Sequence, residues 1–207
     1  MAKKRVLPPG YERPVSEKRE QKMRNVIARR QPTLTIVLEN VMDPHNISAI
    51  LRSCDAVGIP EVYVLSNNIP LSKKLGRRSS ASARKWVKVH YYTDTLSCVQ
   101  DLKNKGFSIW GTHLSADAKG LYELQLSEPV ALVFGNEHKG VSDEILEHCD
   151  GNFIIPMAGM IPSLNVSVAC AVTLYEAYRQ RAASGMYEQP QFAESESADM
   201  YKEWSKK

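Results

Sequence analysis

Two hydrophobic periodicities alternate along the chain. TLTIVLEN (33–40), EVYVLS (61–66), WVKVHYY (86–92), FSIWGTHL (107–114), PVALVFGNE (129–137) and NFIIPM (152–157) are short apolar runs rich in β-branched and aromatic residues, and they predict strands. Between them, apolar residues recur at spacings of three and four. These segments predict helices near 46–57, over DTLSCVQDLKNKG (94–106) and SDEILEHC (142–149), and over a long stretch from about Ser163 to Ser184. The alternation predicts an α/β fold, a mostly parallel sheet with helices on both faces. Residues 33–184 form this unit. Residues 1–32 read as a basic helical extension that carries charge more than core and ends at Pro32. Residues 185–207 read as a C-terminal extension whose Met200, Tyr201 and Trp204 are spaced to dock as a helix.

The helix near 46–57, within DPHNISAILRSCDAVG, has a continuous apolar stripe of Ile47, Ile50, Leu51, Cys54 and Val57. Asn46 suits its N-cap and Gly58 its stop. Arg52 shares another stripe with Ser48 and Asp55, flanked by Ala49, Ser53 and Ala56, small residues that leave room around it. Two readings stand for Arg52: a functional cation, or a surface arginine paired with Asp55 for at most about half a kcal/mol. In the last predicted helix, VSVACAV is small and apolar on nearly every side and reads as enclosed, whereas LYEAYRQR turns amphipathic and basic.

Composition and charge narrow the possibilities. The chain has 207 residues, 43% hydrophobic and 24% charged, enough for one good core with extensions. No run of about 18 apolar residues is present to span a bilayer, and MAKKRVLPPG lacks the apolar stretch of a secretory signal. A cytoplasmic protein is expected. Four dispersed cysteines read as buried free thiols, and neither they nor the five histidines show metal spacing. The net charge of +4 is segregated. Residues 1–32 carry ten Lys/Arg against three Glu, and residues 72–88 carry seven Lys/Arg and no acid. The remaining chain is therefore strongly acidic. Such sorting suits a surface that meets a polyanion, although solvated basic tails would give the same counts.

Ligands of open α/β sheets bind beyond the carboxyl ends of strands, and three strand ends here are unusual. One finishes in Gly-Thr-His, one breaks into Gly135-Asn136-Glu137, and one runs through a Pro/Gly loop to Ser163-Leu164-Asn165. Each is compatible with ordinary turn chemistry, and Ser163 and Asn165 with simple capping. No GxGxxG follows the first strand and no P-loop motif occurs.

DPHNISAILRSCDAVG, LVFGNEHKGVSDEIL and IIPMAGMIPSLNVSVACAVTLYEAYRQR resemble the three motifs of the SpoU/TrmH family of RNA 2′-O-ribose methyltransferases. The resemblance covers about residues 33–182 in order and spacing. The basic N-terminal helix and the GMY stretch are most similar to the branch acting on tRNA guanosine. What the resemblance implies is a SPOUT fold with a C-terminal deep trefoil knot, an S-adenosylmethionine cofactor, a homodimer and a tRNA substrate, with the D-loop guanosine at tRNA position 18 as target. It also implies roles for residues. Asn46, Arg52, Glu137, Ser163 and Asn165 correspond to catalytic-motif positions, and Thr112, Leu114, Gly135, Asn136, Ile155, Met157 and Leu164 to cofactor contacts. Pro162 departs from the glutamine common in that branch. The candidate RNA contacts are Arg19, Lys22, Arg24, Arg29 and Arg30 in the first extension, Lys85 in the basic segment, and Arg179 and Arg181 at the end of the last helix.

Methyl transfer from a sulfonium to a ribose hydroxyl needs alignment, relief of a proton and no metal. Positioning supplies up to about 7–11 kcal/mol of such a barrier. No histidine or carboxylate in the motifs is an obvious base. Arg52 either loses its proton transiently or, preferably, stays charged and stabilises the developing alkoxide while a phosphate oxygen or water takes the proton, because a guanidinium has a pKa above about 12. The alternatives are a ribosomal RNA or tRNA anticodon ribose as substrate, or an RNA-binding protein that retains the pocket without catalysis.

Overall fold

A computed structural model describes residues 15–68 and 83–207. The expectations for residues 1–14 and for the 72–82 part of the basic segment lie outside the described residues. Seven strands form one sheet in which every pairing is parallel: β1 (Leu34–Glu39), β2 (Glu61–Leu65), β3 (Lys88–Tyr92), β4 (Ser108–Thr112), β5 (Lys119–Gly120), β6 (Val130–Phe134) and β7 (Gly151–Ile154). Their order is β3-β2-β1-β6-β4-β7-β5. The central strands β1 and β6 are buried at every residue, which is why they read as largely apolar runs rather than alternating ones. The two-residue β5 carries no apolar run, so the sequence pattern did not announce it.

Helices cover both faces. On one, α2 (Pro44–Ala56) and α5 (Val166–Ala183) pack Ile47, Ile50, Leu51, Cys54, Cys170, Leu174 and Ala177 against Ile36 and Leu38. On the other, α3 (Thr95–Asn104) and α4 (Asp143–Leu146) pack Cys98, Val99, Leu102 and Ile145 against Val37, Tyr63 and Leu65. The two extensions meet each other. α1 (Glu17–Ile27) buries Met23 and Ile27 against Trp204 of α6 (Glu194–Ser205), so α1 contributes core as well as charge.

Three local expectations need correction. α2 starts two residues before Asn46: the Asp43 carboxylate caps it by accepting from the His45 N–H at 2.8 Å, and Pro44 takes the first turn, where no N–H is needed. Ser48 is buried, so the stripe around Arg52 is less open than its small residues suggested. α5 is enclosed on one side only. Val168 is 47% exposed and Tyr175 55%, because the sheet and α2 contact a single face of the helix.

Candidate active site

The three unusual strand ends lie together because β6, β4 and β7 are consecutive in the sheet. Their loops enclose a cavity of about 910 Å³. Thr112 and Leu114 reach it from β4, Gly135, Asn136 and Glu137 from β6, Ile155 and Met157 from β7, and Ser163, Leu164 and Asn165 from the segment entering α5. The walls are apolar and open to the outside, with Leu114 at 79%, Met157 at 47% and Leu164 at 41% exposure. A concave apolar lining with a few convergent polar groups is the form of a small-molecule site.

Two residues shape the β6 turn. A Cβ at Gly135 would lie 2.1–2.2 Å from the backbone of Gly140 and Val141, so only glycine allows the turn to fold back on itself. Asn136 holds the fold-back. Its Oδ1 accepts from the His138 and Lys139 N–H groups at 2.9 and 3.2 Å, and its Nδ2 donates to the Asn40 carbonyl at 2.8 Å. Its backbone exchanges two hydrogen bonds with Gly140. Asn136 therefore sits in the predicted place, but its side chain is occupied with the turn.

Asn46 joins the three motifs without lining the cavity. Its Nδ2 donates to Glu137 at 3.0 Å, and its Oδ1 accepts from Asn165 Nδ2 at 3.1 Å. Asn165 in turn caps α5, accepting from the Ser167 N–H at 2.8 Å. Capping and cross-linking are thus done by the same side chain. Burial pushes the Glu137 carboxyl upward, but hydrogen bonds from Asn46 and from the Met42 and Asp43 N–H groups outweigh it and hold the group below its ordinary value. Glu137 is an ionised anchor for the start of α2.

Arg52 is exposed on α2. Six residues beyond Asn46, it stands roughly 9 Å further along the helix axis at 1.5 Å per residue, and it does not line this chain's cavity. Asp55 Oδ1 accepts from Arg30 at 2.6 Å.

The RNA candidates divide by burial. Arg19, Lys22, Arg24, Arg29, Lys85 and Arg179 are exposed, with Arg24 paired to Glu20 and Arg179 to Glu176. Arg30 and Arg181 have no exposed surface, and their assignment as RNA contacts is overturned. Arg30 donates to Asp55, to the Ile59 carbonyl at 3.1 Å and to the Trp86 carbonyl at 3.4 Å, beneath the Trp204 ring. Arg181 donates to the carbonyls of Leu126, Glu128 and Thr33 and to the Thr33 hydroxyl. Both guanidiniums serve as internal cross-links, and burial lowers the Arg181 pKa to about 10.

Sequence reasoning passed over several groups. His113, His138 and Lys139 also line the cavity. Asn40, directly after β1, adopts a left-handed φ of 52° and donates from its side chain to Asn67 at 2.7 Å. Glu39 is buried and accepts from the Ser142 N–H at 2.8 Å and from the Ser142 hydroxyl. An acid-amide pair ending an otherwise apolar strand was the available signal. Among the described residues, no group of three or more His, Cys, Asp or Glu side chains could hold a metal ion.

Comparisons with known proteins identify the family. The SpoU rRNA Methylase family profile matches residues 33–175. A tRNA (guanosine(18)-2′-O)-methyltransferase from Thermus thermophilus is 41% identical over 194 residues, 93% of this chain and 98% of that one. The Escherichia coli K12 protein of the same name is 44% identical over 163 residues, 78% of this chain and 70% of its own length. Among solved structures, the A. aeolicus TrmH/SpoU tRNA modifying enzyme superposes with a TM-score of 0.84 at 40% identity, covering 91% of this chain and 95% of the other. The SpoU methyltransferase AviRb from Streptomyces viridochromogenes, solved in complex with the cofactor AdoMet, gives 0.65 at 28% identity over 76% and 64%. With one cavity assembled from all three motifs and matches of this extent, the chain belongs to the SpoU methylase family.

Proposed function

We propose that this chain transfers the methyl group of S-adenosylmethionine to the ribose 2′-hydroxyl of the D-loop guanosine at tRNA position 18, in the cytoplasm. The observation that carries the reading is the pair of hydrogen bonds by which Asn46 joins Glu137 and Asn165, linking all three motifs beside one apolar cavity. The cavity suits this cofactor. Exposed Leu114, Met157 and Leu164 offer apolar surface to a base and an alkyl chain, and the Gly135 turn brings backbone to the wall with no side chain intervening. The bound cofactor supplies an electrophilic methyl group. The protein's share is to orient and to manage charge. Thr112 and the Gly135–Glu137 turn fix the donor side, Ser163 and Asn165 border the acceptor side, and Glu137 acts through α2 rather than as a base.

Arg52 is the cation for the developing alkoxide, with a phosphate oxygen or water as proton acceptor. Because Arg52 does not line its own chain's cavity, this reading assigns it to the cavity of a second copy. The exposed face of α5, Val168 and Tyr175, with Leu164 just before the helix, is the surface proposed to meet that copy, and the knotted C-terminal chain path belongs to the same reading. Tight positioning of this kind needs rigid neighbours. An unmodified tRNA transcript incubated with protein and cofactor, then digested and mapped by mass spectrometry, should carry one 2′-O-methyl group, on guanosine 18. Methylation at another ribose, or none, ends the assignment. Arg52→Ala should bind cofactor normally and lose turnover by about 100-fold or more, and near-normal turnover would remove Arg52 from the chemistry.

A further inference from the structure

A second groove of about 830 Å³ opens at the opposite end of α2. At 1.5 Å per residue, the 13 residues of α2 separate it from the donor cavity by roughly 20 Å. Three elements build it. α1 has two faces: Met23 and Ile27 dock on α6, while Lys18, Gln21, Lys22 and Asn25, spaced three and four apart, face the groove, joined by Arg29 just past the helix end. Tyr178 and Ala182 of α5, with Tyr187 just beyond, form the facing wall. Asp55, Ala56 and Gly58 at the end of α2 form the floor.

The walls are fixed rather than incidental. Gly58 has a φ of +87°, and a Cβ there would lie 2.7 Å from the Arg29 carbonyl oxygen, so glycine alone lets α1 approach the end of α2. The Gln31 N–H donates to the Gly58 carbonyl at 2.8 Å. The Tyr187 hydroxyl donates to the Val57 carbonyl at 2.7 Å, and the Gln31 side chain donates to the Met186 carbonyl at 3.1 Å. Tyr178 packs on Tyr187 with ring centroids 4.7 Å apart, yet remains 40% exposed. The floor carboxylate Asp55 is already paired with Arg30, leaving Glu188 as the acid facing Lys18, Lys22 and Arg29.

We infer that this groove is an accessory site for a single-stranded loop of the tRNA, distinct from the site of methyl transfer. Lysines and an arginine meet phosphates; Gln21 Nε2 donates to Asn25 Oδ1 at 2.8 Å, so the pair presents the Gln21 carbonyl and the Asn25 amide N–H to base edges; and the face of Tyr178 takes a stacked base. Cations along one wall and an aromatic plane on the other are the chemistry of single-strand binding. The inference rests on the proposed tRNA reading for its ligand, and the groove's distance from the cavity makes it a grip rather than part of the reaction.

The test compares full-length parent, Lys18→Glu/Lys22→Glu and Tyr178→Leu for affinity to an unmodified tRNA transcript over a salt series, for cofactor affinity and for solution mass. The lysine variant should weaken tRNA binding about tenfold or more, and the slope of log affinity against log salt should fall by roughly one per lysine. Tyr178→Leu should weaken binding about fivefold or more with the slope unchanged, as a lost stack would. Cofactor affinity and mass should stay at parental values. Parental tRNA affinity in both variants overturns the groove while leaving methyl transfer to guanosine 18 intact. A drop in mass with either variant overturns it too, since the groove would then be a contact between copies. If the parent methylates no tRNA and the variants still bind it less well, the functional proposal fails and the groove stands.

Discussion

At the scale of single residues, identical side chains divide between opposite tasks. Arg29 and Arg30 are neighbours on an amphipathic segment and equally charged in the sequence, yet one is exposed and the other wholly buried. The difference is the cluster of acceptors at Asp55, Ile59 and Trp86, which no local pattern around residue 30 reveals. Arg181 is the same case on α5, where its fork satisfies carbonyls from two loops. Removing it leaves those acceptors buried and unpaired at about 1–3 kcal/mol each. Arg181→Met should therefore lower unfolding free energy by more than about 3 kcal/mol in urea titrations, whereas Arg24→Met, at an exposed pair with Glu20, should change it by less than about 1 kcal/mol. Equal effects would show that Arg181 is not a structural cross-link.

Among the elements, helix and strand identities followed from periodicity, and their ends from capping chemistry that several residues could supply. Asn46 and Asp43 are both good N-cap residues; Pro44 between them decides in favour of Asp43, and Asn46 becomes available to reach Glu137 and Asn165. Pairing of β2 with β3 has a consequence of its own. The register sets Tyr63 opposite His90 and Glu61 opposite Lys88, and Lys105 from the end of α3 donates to the Tyr63 hydroxyl. The hydrogen bond to His90, opposed by burial and aided by Lys105, lowers the Glu61 carboxyl from 4.5 to about 2. A carboxyl depressed on folding stabilises the native state above its unfolded value and loses that contribution as pH falls from about 4.5 towards 2. The urea midpoint of the parent should drop more than that of Glu61→Gln between pH 6 and pH 3. Parallel pH profiles would exclude Glu61 as a source of acid sensitivity.

For the whole molecule, the open side of α5 leaves large apolar side chains exposed in the isolated chain. Large exposed apolar patches mark interaction sites; Leu164 lines the cavity, Val168 and Tyr175 are exposed on α5, and Met160 and Ile161 in the segment before it are 99% and 73% exposed. If a second copy covers this face, sedimentation should give twice the 23.2 kDa chain mass, and Val168→Glu should reduce it to one. That variant should also lose methyl transfer, because each cavity would lack the Arg52 of the other copy. A monomeric variant with full turnover would return Arg52 to its own cavity.

By itself the sequence determined what is local: alternation of strand and helix, the largely apolar central strands, the glycine-bearing loops after β6 and β7, and the segregation of positive charge. Side-chain period and turn stereochemistry depend only on neighbours in the chain, so they were legible. Only the tertiary structure decided that β6, β4 and β7 are adjacent, making one cavity of three separate loops. It alone decided that Asn46 ties those loops together, that α5 keeps one apolar side open, and that Arg30 and Arg181 turn inward. Each of these depends on which acceptors and apolar surfaces converge from distant parts of the chain, and burial energies settle that only once the whole sheet is assembled.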